Sequence, residues 1–325
     1  MSVYVAMPTL MDNQTKFSIA QLFEAAANPE DVYVGLPFMT PESWYNKHLE
    51  FLSTYPNVRH YLFKDPEKHL EIGVGRNNAM SFYNGEDYVL QVDSHTFFDT
   101  DWDKKLIEMY KEALVETGNE KTILTSYLSL YKHPKGGDRG RPNLGMGKYP
   151  FFWFQRWNEI PKMPMWTDTE INALPDDIRP RKKFLPCVKV NAQFVFGNKH
   201  YAENTGLPLS AVFFEEEMFQ TANLLNDGFS LVFPNLPIPV SHLFANDVEN
   251  KDADYDEDTP SWRARNIGQT PESRAIYTAK TQKSYLSFIE DPANKAKMER
   301  FHSYTQCHPK YGPYDEWHIP KDYNR

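Results

Sequence analysis

The sequence YVLQVDSH, at residues 88–95, is an apolar run that ends on an Asp-x-His triplet. An apolar run of this length predicts a buried strand, and buried strands of α/β sheets present ligand-binding groups at their carboxyl ends. Asp93 and His95 are two residues apart, and in an extended segment such side chains point to the same side. A carboxylate and an imidazole that converge predict a divalent-cation site. Polar residues after a strand also commonly cap the next turn, so the triplet alone leaves both interpretations open.

The residues that precede this run alternate short apolar stretches with segments of helical periodicity. Strands are predicted at residues 3–7, 32–36 and 58–63, and helices at residues 15–27 and 42–53. This β-α-β-α-β order is typical of a parallel sheet with helices on its faces. A glycine-containing segment at residues 73–79 opens a short helix that is predicted to stop at Asn84-Gly85.

The pattern continues beyond the triplet and predicts one α/β core with an extension. Helices are predicted at residues 102–115, 213–227 and 272–289, and strands at residues 122–131, 187–197 and 234–244. We expect the core to occupy residues 1–245. An acidic loop and a helical extension that packs on the core are expected at residues 246–325.

A basic and aromatic insertion is predicted at residues 132–165. Within it, residues 132–157 contain six lysines and arginines against the single acidic residue Asp138, together with several glycines and an aromatic block. Such a loop suits the covering of a bound nucleotide or contact with an acidic acceptor. A solvated insertion is the alternative interpretation of the same composition.

Composition restricts the class of protein. The chain has 325 residues, a formal net charge of -9 and two cysteines, Cys187 and Cys307, without the spacing of a disulfide framework. The charge disfavours general binding to a phosphate backbone, although it does not exclude a local basic patch. We expect a cytoplasmic protein without a membrane segment, in the cytosol of a bacterial host if the chain is phage-encoded.

Several motifs resemble one glycosyltransferase family. Residues 91–95 (QVDSH), followed by Phe97 or Phe98 and by Trp102-Asp103, resemble the LQIDSH…F…WD signature of a GlcNAc-transferase family that includes cytoplasmic hydroxyproline GlcNAc transferases. The other motifs occur in the family's order: RNNA and GEDY at residues 76–79 and 85–88, FFEEE at residues 213–217, and SHLF at residues 241–244. Glu215 stands where the family motif has a glycine.

The resemblance implies a GT-A type fold, a Rossmann-like mixed and mostly parallel sheet flanked by helices. It also implies a cation, Mn²⁺ or Mg²⁺, that binds the diphosphate of a UDP-sugar. The implied metal ligands are Asp93, His95 and His242. The implied donor-binding residues are Thr9, Asp12, Arg76, Asp93 and Ser94, with Thr9 and Asp12 placed toward the uridine or ribose. From the residues alone, His242 is equally well explained as a hydrogen-bonded, half-buried histidine.

The implied activity is a metal-dependent, retaining transfer of a sugar, GlcNAc by family analogy, to an acceptor hydroxyl. Glu216 and Glu217 match the family's donor-side acidic pair and are the predicted catalytic residues. Front-face attack and a carboxylate nucleophile both remain open. The acceptor is either a protein hydroxyl or a hydroxymethylated base in DNA. The alternative functions are a non-catalytic nucleotide-sugar-binding module and a metal-dependent UDP-sugar hydrolase, and the oligomeric state is left unknown.

Overall fold

The structure, a computed structural model, describes about two thirds of the chain. The described residues are 1–64 without 11 and 13, 71–130, 183–243 without 188, 205, 208–210 and 212–214, 271–305, and the short pair 307–308 and 312–313. The predicted basic insertion at residues 132–165, the acidic loop and the predicted domain boundary at residue 245 lie outside them.

Thirteen strands and eight α-helices are described, and we number them in chain order. The strands are β1 (Val3–Ala6), β2 (Val32–Phe38), β3 (Val58–Leu62), β4 (Tyr88–Val92), β5 (Thr96–Phe98), β6 (Thr122–Thr125), β7 (Ser129–Leu130), β8 (Phe184–Pro186), β9 (Phe194–Asn198), β10 (Ser230–Pro234), β11 (Val240–His242), β12 (Cys307–His308) and β13 (Gly312–Pro313). The helices are α1 (Thr15–Ala25), α2 (Glu42–Leu52), α3 (Ile72–Met80), α4 (Trp102–Thr117), α5 (Lys199–Glu203), α6 (Glu215–Asn226), α7 (Pro271–Glu290) and α8 (Lys295–Thr305).

The central sheet has eight strands in the order β3-β2-β1-β4-β9-β6-β10-β8. Strand β9 pairs antiparallel with both β4 and β6, and β8 pairs antiparallel with β10. The other six strands share one direction, so the sheet is mixed and mostly parallel. The predicted α/β class is therefore confirmed, and β4, which carries the Asp-x-His triplet at its end, lies in the middle of the sheet.

A second sheet of three strands, β5-β11-β7, lies beside the carboxyl end of β4. Its formation corrects two predictions of long strands. The strand predicted at residues 122–131 is divided into β6 in the large sheet and β7 in the small one, and residues 234–244 are divided between β10 and β11. Pro234, Pro237 and Pro239 explain the second division, because a proline donates no hydrogen bond to a strand ladder.

Two other predicted elements also differ from the structure. Of the strand predicted at residues 187–197, only residues 194–197 lie in β9, and they follow a turn in which the carbonyl of Asn191 accepts a hydrogen bond from the amide of Phe194. Helix α3 ends at Met80, four residues before the predicted stop at Asn84. Local alternation of apolar residues does not distinguish a strand from a buried turn, which explains the first error.

The close approach of α3 to the sheet depends on Gly35 in β2. A Cβ at this position would overlap the hydroxyl of Tyr4 and the carbonyl oxygen of Ala79, which are themselves hydrogen-bonded to each other. Glycine therefore allows α3 to lie directly on β1 and β2. This contact carries Arg76 of α3 toward the end of β4.

The two carboxyl-terminal helices α7 and α8 pack on the core through apolar side chains. Phe288 of α7 lies against Phe219 of α6 with ring centroids 4.1 Å apart, and Met298 and Phe301 of α8 are buried in the same cluster. The predicted helical extension is thus present. None of the helices in the described part of the chain has both the length and the apolar character that a membrane span requires.

Candidate metal and donor site

Asp93, His95 and His242 form a cluster at the carboxyl end of β4. One potential ligand atom from each residue lies within 4.8 Å of the others. Oδ2 of Asp93 is 3.0 Å from Nε2 of His242 and 4.0 Å from Nε2 of His95. The two imidazole rings meet edge to face, with centroids 4.5 Å apart. The structure therefore brings together the three residues that the sequence predicts as metal ligands.

The register of the small sheet explains why the two histidines meet, although they are far apart in sequence. His242 is the last residue of β11 and lies opposite Thr96, the first residue of β5. The amide of Leu243 then donates a hydrogen bond to the carbonyl of His95 at 3.0 Å. The convergence of Asp93 and His95 has a different cause from the predicted one, because residues 93–95 form a turn between β4 and β5 rather than an extended segment.

One oxygen of the Asp93 carboxylate contacts the buried guanidinium of Arg76, and the other faces the histidines. Arg76 donates from Nη2 to Oδ1 of Asp93 at 2.5 Å and from Nη1 to the carbonyl of Val92 at 2.9 Å. Burial raises the pKa of Asp93, but the Arg76 guanidinium and the two histidines outweigh burial and hold this pKa well below its usual range. Asp93 is therefore ionised, with Oδ2 left to face the imidazoles.

Arg76 is itself buried, with 4% of its surface exposed, so it is not an ordinary surface ion pair. Its guanidinium also lies 3.5 Å from Oε2 of Glu216, the second residue of α6. Burial lowers the pKa of Arg76, but Asp93 and Glu216 raise it by more. The pKa of Arg76 therefore lies above its ordinary value. Arg76 thus ties α3, the end of β4 and the start of α6 together. Its predicted contact with the donor remains a prediction.

The two predicted catalytic glutamates have different surroundings. Burial raises the pKa of Glu216 to about 8, and the neighbouring carboxylates of Asp93, Glu217 and Glu215 add to this, while Arg76 opposes it. Glu217 receives a salt bridge from Lys189 at 2.5 Å and accepts a hydrogen bond from the amide of Ala192 at 3.2 Å. Glu216 is therefore linked to the Asp93 cluster through Arg76, whereas Glu217 anchors the turn before β9.

The segment after β1 contributes Asp12 to the cluster. The carboxylate of Asp12 accepts hydrogen bonds from Ser94 Oγ at 2.8 Å and from His95 Nδ1 at 2.6 Å. Thr9 is fully buried, and its hydroxyl is hydrogen-bonded to the hydroxyl of Thr15 at 2.7 Å. Asp12 and Ser94 thus lie beside the cluster of Asp93, His95 and His242, and nucleotide contacts of Thr9, Asp12 and Ser94 remain predictions.

A polar network behind the site is absent from the sequence prediction. Oε1 of Gln91, in β4, accepts hydrogen bonds from Tyr201 at 2.9 Å and Gln220 at 3.1 Å, and its Nε2 donates to the carbonyl of Ala192 at 3.1 Å. This network connects β4, α5, α6 and the turn before β9. The available signal was a polar residue inside an otherwise apolar strand, because a buried amide requires partners.

The donor set of the cluster suits one divalent cation. Metal–ligand distances near 2.1 Å place two ligand atoms of one ion at most roughly 4.2 Å apart, and the two separations from Asp93 Oδ2 are 3.0 and 4.0 Å. A site with one carboxylate oxygen and two imidazole nitrogens suits a transition-metal ion such as Mn²⁺ better than a site made only of oxygen ligands does. In the structure, Nε2 of His242 donates to the ionised Asp93 carboxylate, so this hydrogen would have to leave Nε2 for that nitrogen to bind a cation.

The chain is similar to one protein family and to several solved structures. A family model described as Glycosyltransferase (GlcNAc) matches residues 72–310. Among solved structures, residues 1–349 of TarS from S. aureus have 14% sequence identity and a TM-score of 0.48, with 94% of this chain and 81% of that chain covered. GalNAc-T7, crystallised with UDP, GalNAc and Mn²⁺, has 11% identity and a TM-score of 0.51, with 94% and 55% covered. A search of curated proteins found no match.

The mixed, mostly parallel α/β sheet flanked by helices is of the GT-A type, and the likeness to GalNAc-T7 supports this fold. The family match covers more than half of the chain. The protein belongs to the GlcNAc glycosyltransferase family and is a glycosyltransferase.

Proposed function

We propose that the protein transfers a sugar from a UDP-sugar to an acceptor hydroxyl in a cation-dependent reaction. The observation that carries this proposal is the convergence of Asp93, His95 and His242 at the end of β4. GalNAc-T7, which shares the fold, was crystallised with UDP, GalNAc and Mn²⁺. Mn²⁺ and UDP are therefore the cation and the nucleotide with which we expect activity.

The leaving nucleoside diphosphate gains negative charge as the glycosidic bond breaks, and a bound cation neutralises that charge without a proton transfer. The residues of this chain hold the cation and control the charge around it. Asp93 supplies the anionic ligand, and Arg76 keeps its carboxylate ionised and fixed through the contact with Oδ1. His95 and His242 supply neutral ligands on the side of Oδ2.

Glu216 is the carboxyl group that we assign to the donor side of the reaction. It is buried and lies at the start of α6, with its carboxylate 3.5 Å from the Arg76 guanidinium. A carboxyl group with a raised pKa changes protonation near neutral pH, which suits a group that interacts with developing charge. Transfer of GlcNAc with retention, by front-face attack or through a carboxylate nucleophile, belongs to the same proposal. A supporting role for Glu217 is also part of this proposal.

The donor reaction is tested by following UDP release from a panel of UDP-sugars with Mn²⁺. We expect release with at least one donor, and loss of release with EDTA or with Asp93→Ala. The matched control is Asp87→Ala, because the exposed Asp87 carboxylate accepts a hydrogen bond from the amide of Ser2 near the start of the chain. Release that persists in both EDTA and Asp93→Ala would refute the cation-dependent reaction.

The acceptor is either a protein hydroxyl or a hydroxymethylated base of DNA, and the described residues favour neither. Mass spectrometry of peptides and of nucleosides after reaction with the same donor distinguishes the two. NMR of the product gives the anomeric configuration and so tests retention. Transfer to water alone would instead support the UDP-sugar hydrolase. A cytoplasmic location completes the proposal and is tested by fractionation of the producing cells.

A further inference from the structure

Both oxygens of the Asp12 carboxylate accept hydrogen bonds from this chain's own donors. Oδ2 accepts from the hydroxyl of Ser94 and from Nδ1 of His95, at 2.8 and 2.6 Å, and Oδ1 accepts from the backbone amide of Gln14 at 2.9 Å. The residue is 7% exposed. Its backbone carbonyl accepts from the amide of Thr15, the first residue of α1, which ties the carboxylate to the start of that helix.

These contacts determine which nitrogen of His95 carries a hydrogen. Oδ1 of Asp12 accepts from the Gln14 amide and Oδ2 accepts from the Ser94 hydroxyl, so both oxygens of this carboxylate act as hydrogen-bond acceptors. Nδ1 of His95 must then be the donor. In the neutral ring this leaves the lone pair on Nε2, the nitrogen that lies 4.0 Å from Oδ2 of Asp93.

We propose that Asp12 is a positioning residue that holds His95 in the tautomer with the hydrogen on Nδ1 and directs Nε2 toward Asp93 and His242. A carboxylate that accepts from the second nitrogen of a metal-binding histidine fixes the ring and raises its basicity. The proposal revises the role predicted for Asp12 from the sequence, a contact with uridine or ribose. It rests on the proposed function only in the statement that Nε2 binds a cation.

The first test needs no metal. Long-range ¹H–¹⁵N spectra of histidine-labelled protein, recorded at an alkaline pH where the ring is neutral, distinguish the two tautomers. His95→Gln identifies the His95 signals. We expect wild-type His95 to carry its hydrogen on Nδ1, and the other tautomer to become populated in Asp12→Ala. A hydrogen on Nε2 of wild-type His95 overturns the proposal.

The second test measures Mn²⁺ binding by calorimetry without nucleotide. We expect Asp12→Ala to bind Mn²⁺ about 10- to 100-fold more weakly than wild type. The matched control is Asp103→Ala. Asp103 is a buried carboxylate that also accepts three hydrogen bonds, from the amides of Ala27 and Asn28 and the side chain of Asn28, at the start of α4. We expect this control to lose stability but to bind Mn²⁺ like wild type.

The outcomes separate this inference from the proposed function. If folded Asp12→Ala binds Mn²⁺ as tightly as wild type but binds UDP more weakly, Asp12 contacts the nucleotide and the positioning role is wrong. If wild type binds no Mn²⁺ but His95 has the expected tautomer, the cation proposal fails while Asp12 keeps its positioning role. If Asp12→Ala does not fold, the wild-type tautomer and the Asp12→Asn variant decide the question.

Discussion

Replacing Arg76 with methionine tests how the site is held together. The substitution keeps a long apolar side chain but removes a guanidinium that contacts Asp93 at 2.5 Å, the Val92 carbonyl at 2.9 Å and Glu216 at 3.5 Å. The buried carboxyl group of Glu216 and the half-buried one of Asp93 then lose their nearest positive charge. Removal of one partner from a buried ion pair typically costs about 3–5 kcal/mol, because the remaining charge stays desolvated. We expect Arg76→Met to lose free energy of unfolding in this range.

The loss should grow as the pH rises. In wild type, Arg76 lowers the pKa of both Asp93 and Glu216. Without it, burial and the neighbouring carboxylates raise the pKa of Glu216 further above that of the unfolded chain, whereas at Asp93 the two histidines still oppose burial. The folded variant then binds more protons than the unfolded chain across the neutral range, so its free energy of unfolding falls as the pH increases.

Urea unfolding at about pH 6 and about pH 8.5, followed by circular dichroism, measures both effects. The control is Arg59→Met, which breaks the ion pair with Glu86. We expect a smaller loss, because the Arg59 side chain is 28% exposed and water reaches it. The double variant Arg76→Met with Glu216→Gln should recover part of the loss at about pH 8.5, because glutamine removes the buried group that would otherwise have to hold a proton or carry a charge there. The reasoning is wrong if Arg76→Met loses no more than Arg59→Met, or if its loss does not grow with pH.

Three further results are expected. His242→Ala should weaken Mn²⁺ binding at least about tenfold in calorimetry. The control His200→Ala, which removes a surface histidine beside Glu203, should bind Mn²⁺ like wild type. Equal Mn²⁺ affinities of His242→Ala and wild type would remove His242 from the ligand set. Glu216→Gln should flatten the pH dependence of unfolding: burial raises the pKa of Glu216 to about 8, so the wild-type contribution is present below the unfolded pKa near 4.5 and is lost as the pH rises through about 8. An equally steep fall of the free energy of unfolding with rising pH in wild type and Glu216→Gln would contradict this. Gly35→Ala should cost about 1–3 kcal/mol in thermal unfolding, since a Cβ would overlap the Tyr4 hydroxyl, and an unchanged melting temperature would show that α3 can shift.

The sequence predicts the order of strands and helices well in the first half of the chain. The predicted boundaries of β1, α1, β2, α2 and β3 differ from the structure by at most two residues. Periodicity is a local property, and in these segments it agrees with the tertiary packing. The prediction fails where the chain changes sheets, at residues 122–131 and 234–244, because an apolar stretch does not specify which sheet will accept its hydrogen bonds.

The candidate site was likewise predictable from the sequence only in part. Residue type and position at strand ends made Asp93, His95 and His242 possible metal ligands, and the family resemblance selected these three as the ligand set. The position of Asp93 follows from the end of β4, because the carboxyl ends of strands in such sheets carry ligand groups. The roles of Asp12 and Arg76 did not follow from the sequence, since each depends on which side chain it meets.

The sequence by itself determined the α/β class, the family resemblance and the residue types of the cluster, because these depend on local pattern and side-chain chemistry. The tertiary structure alone decided that His242 lies opposite Thr96, that Arg76 is buried between Asp93 and Glu216, and that Asp12 holds His95. The physical reason is separation along the chain. These contacts join residues 83, 140 and 149 positions apart in the cases of His95–Asp12, Arg76–Glu216 and His242–Asp93, and only folding brings such groups within hydrogen-bonding distance.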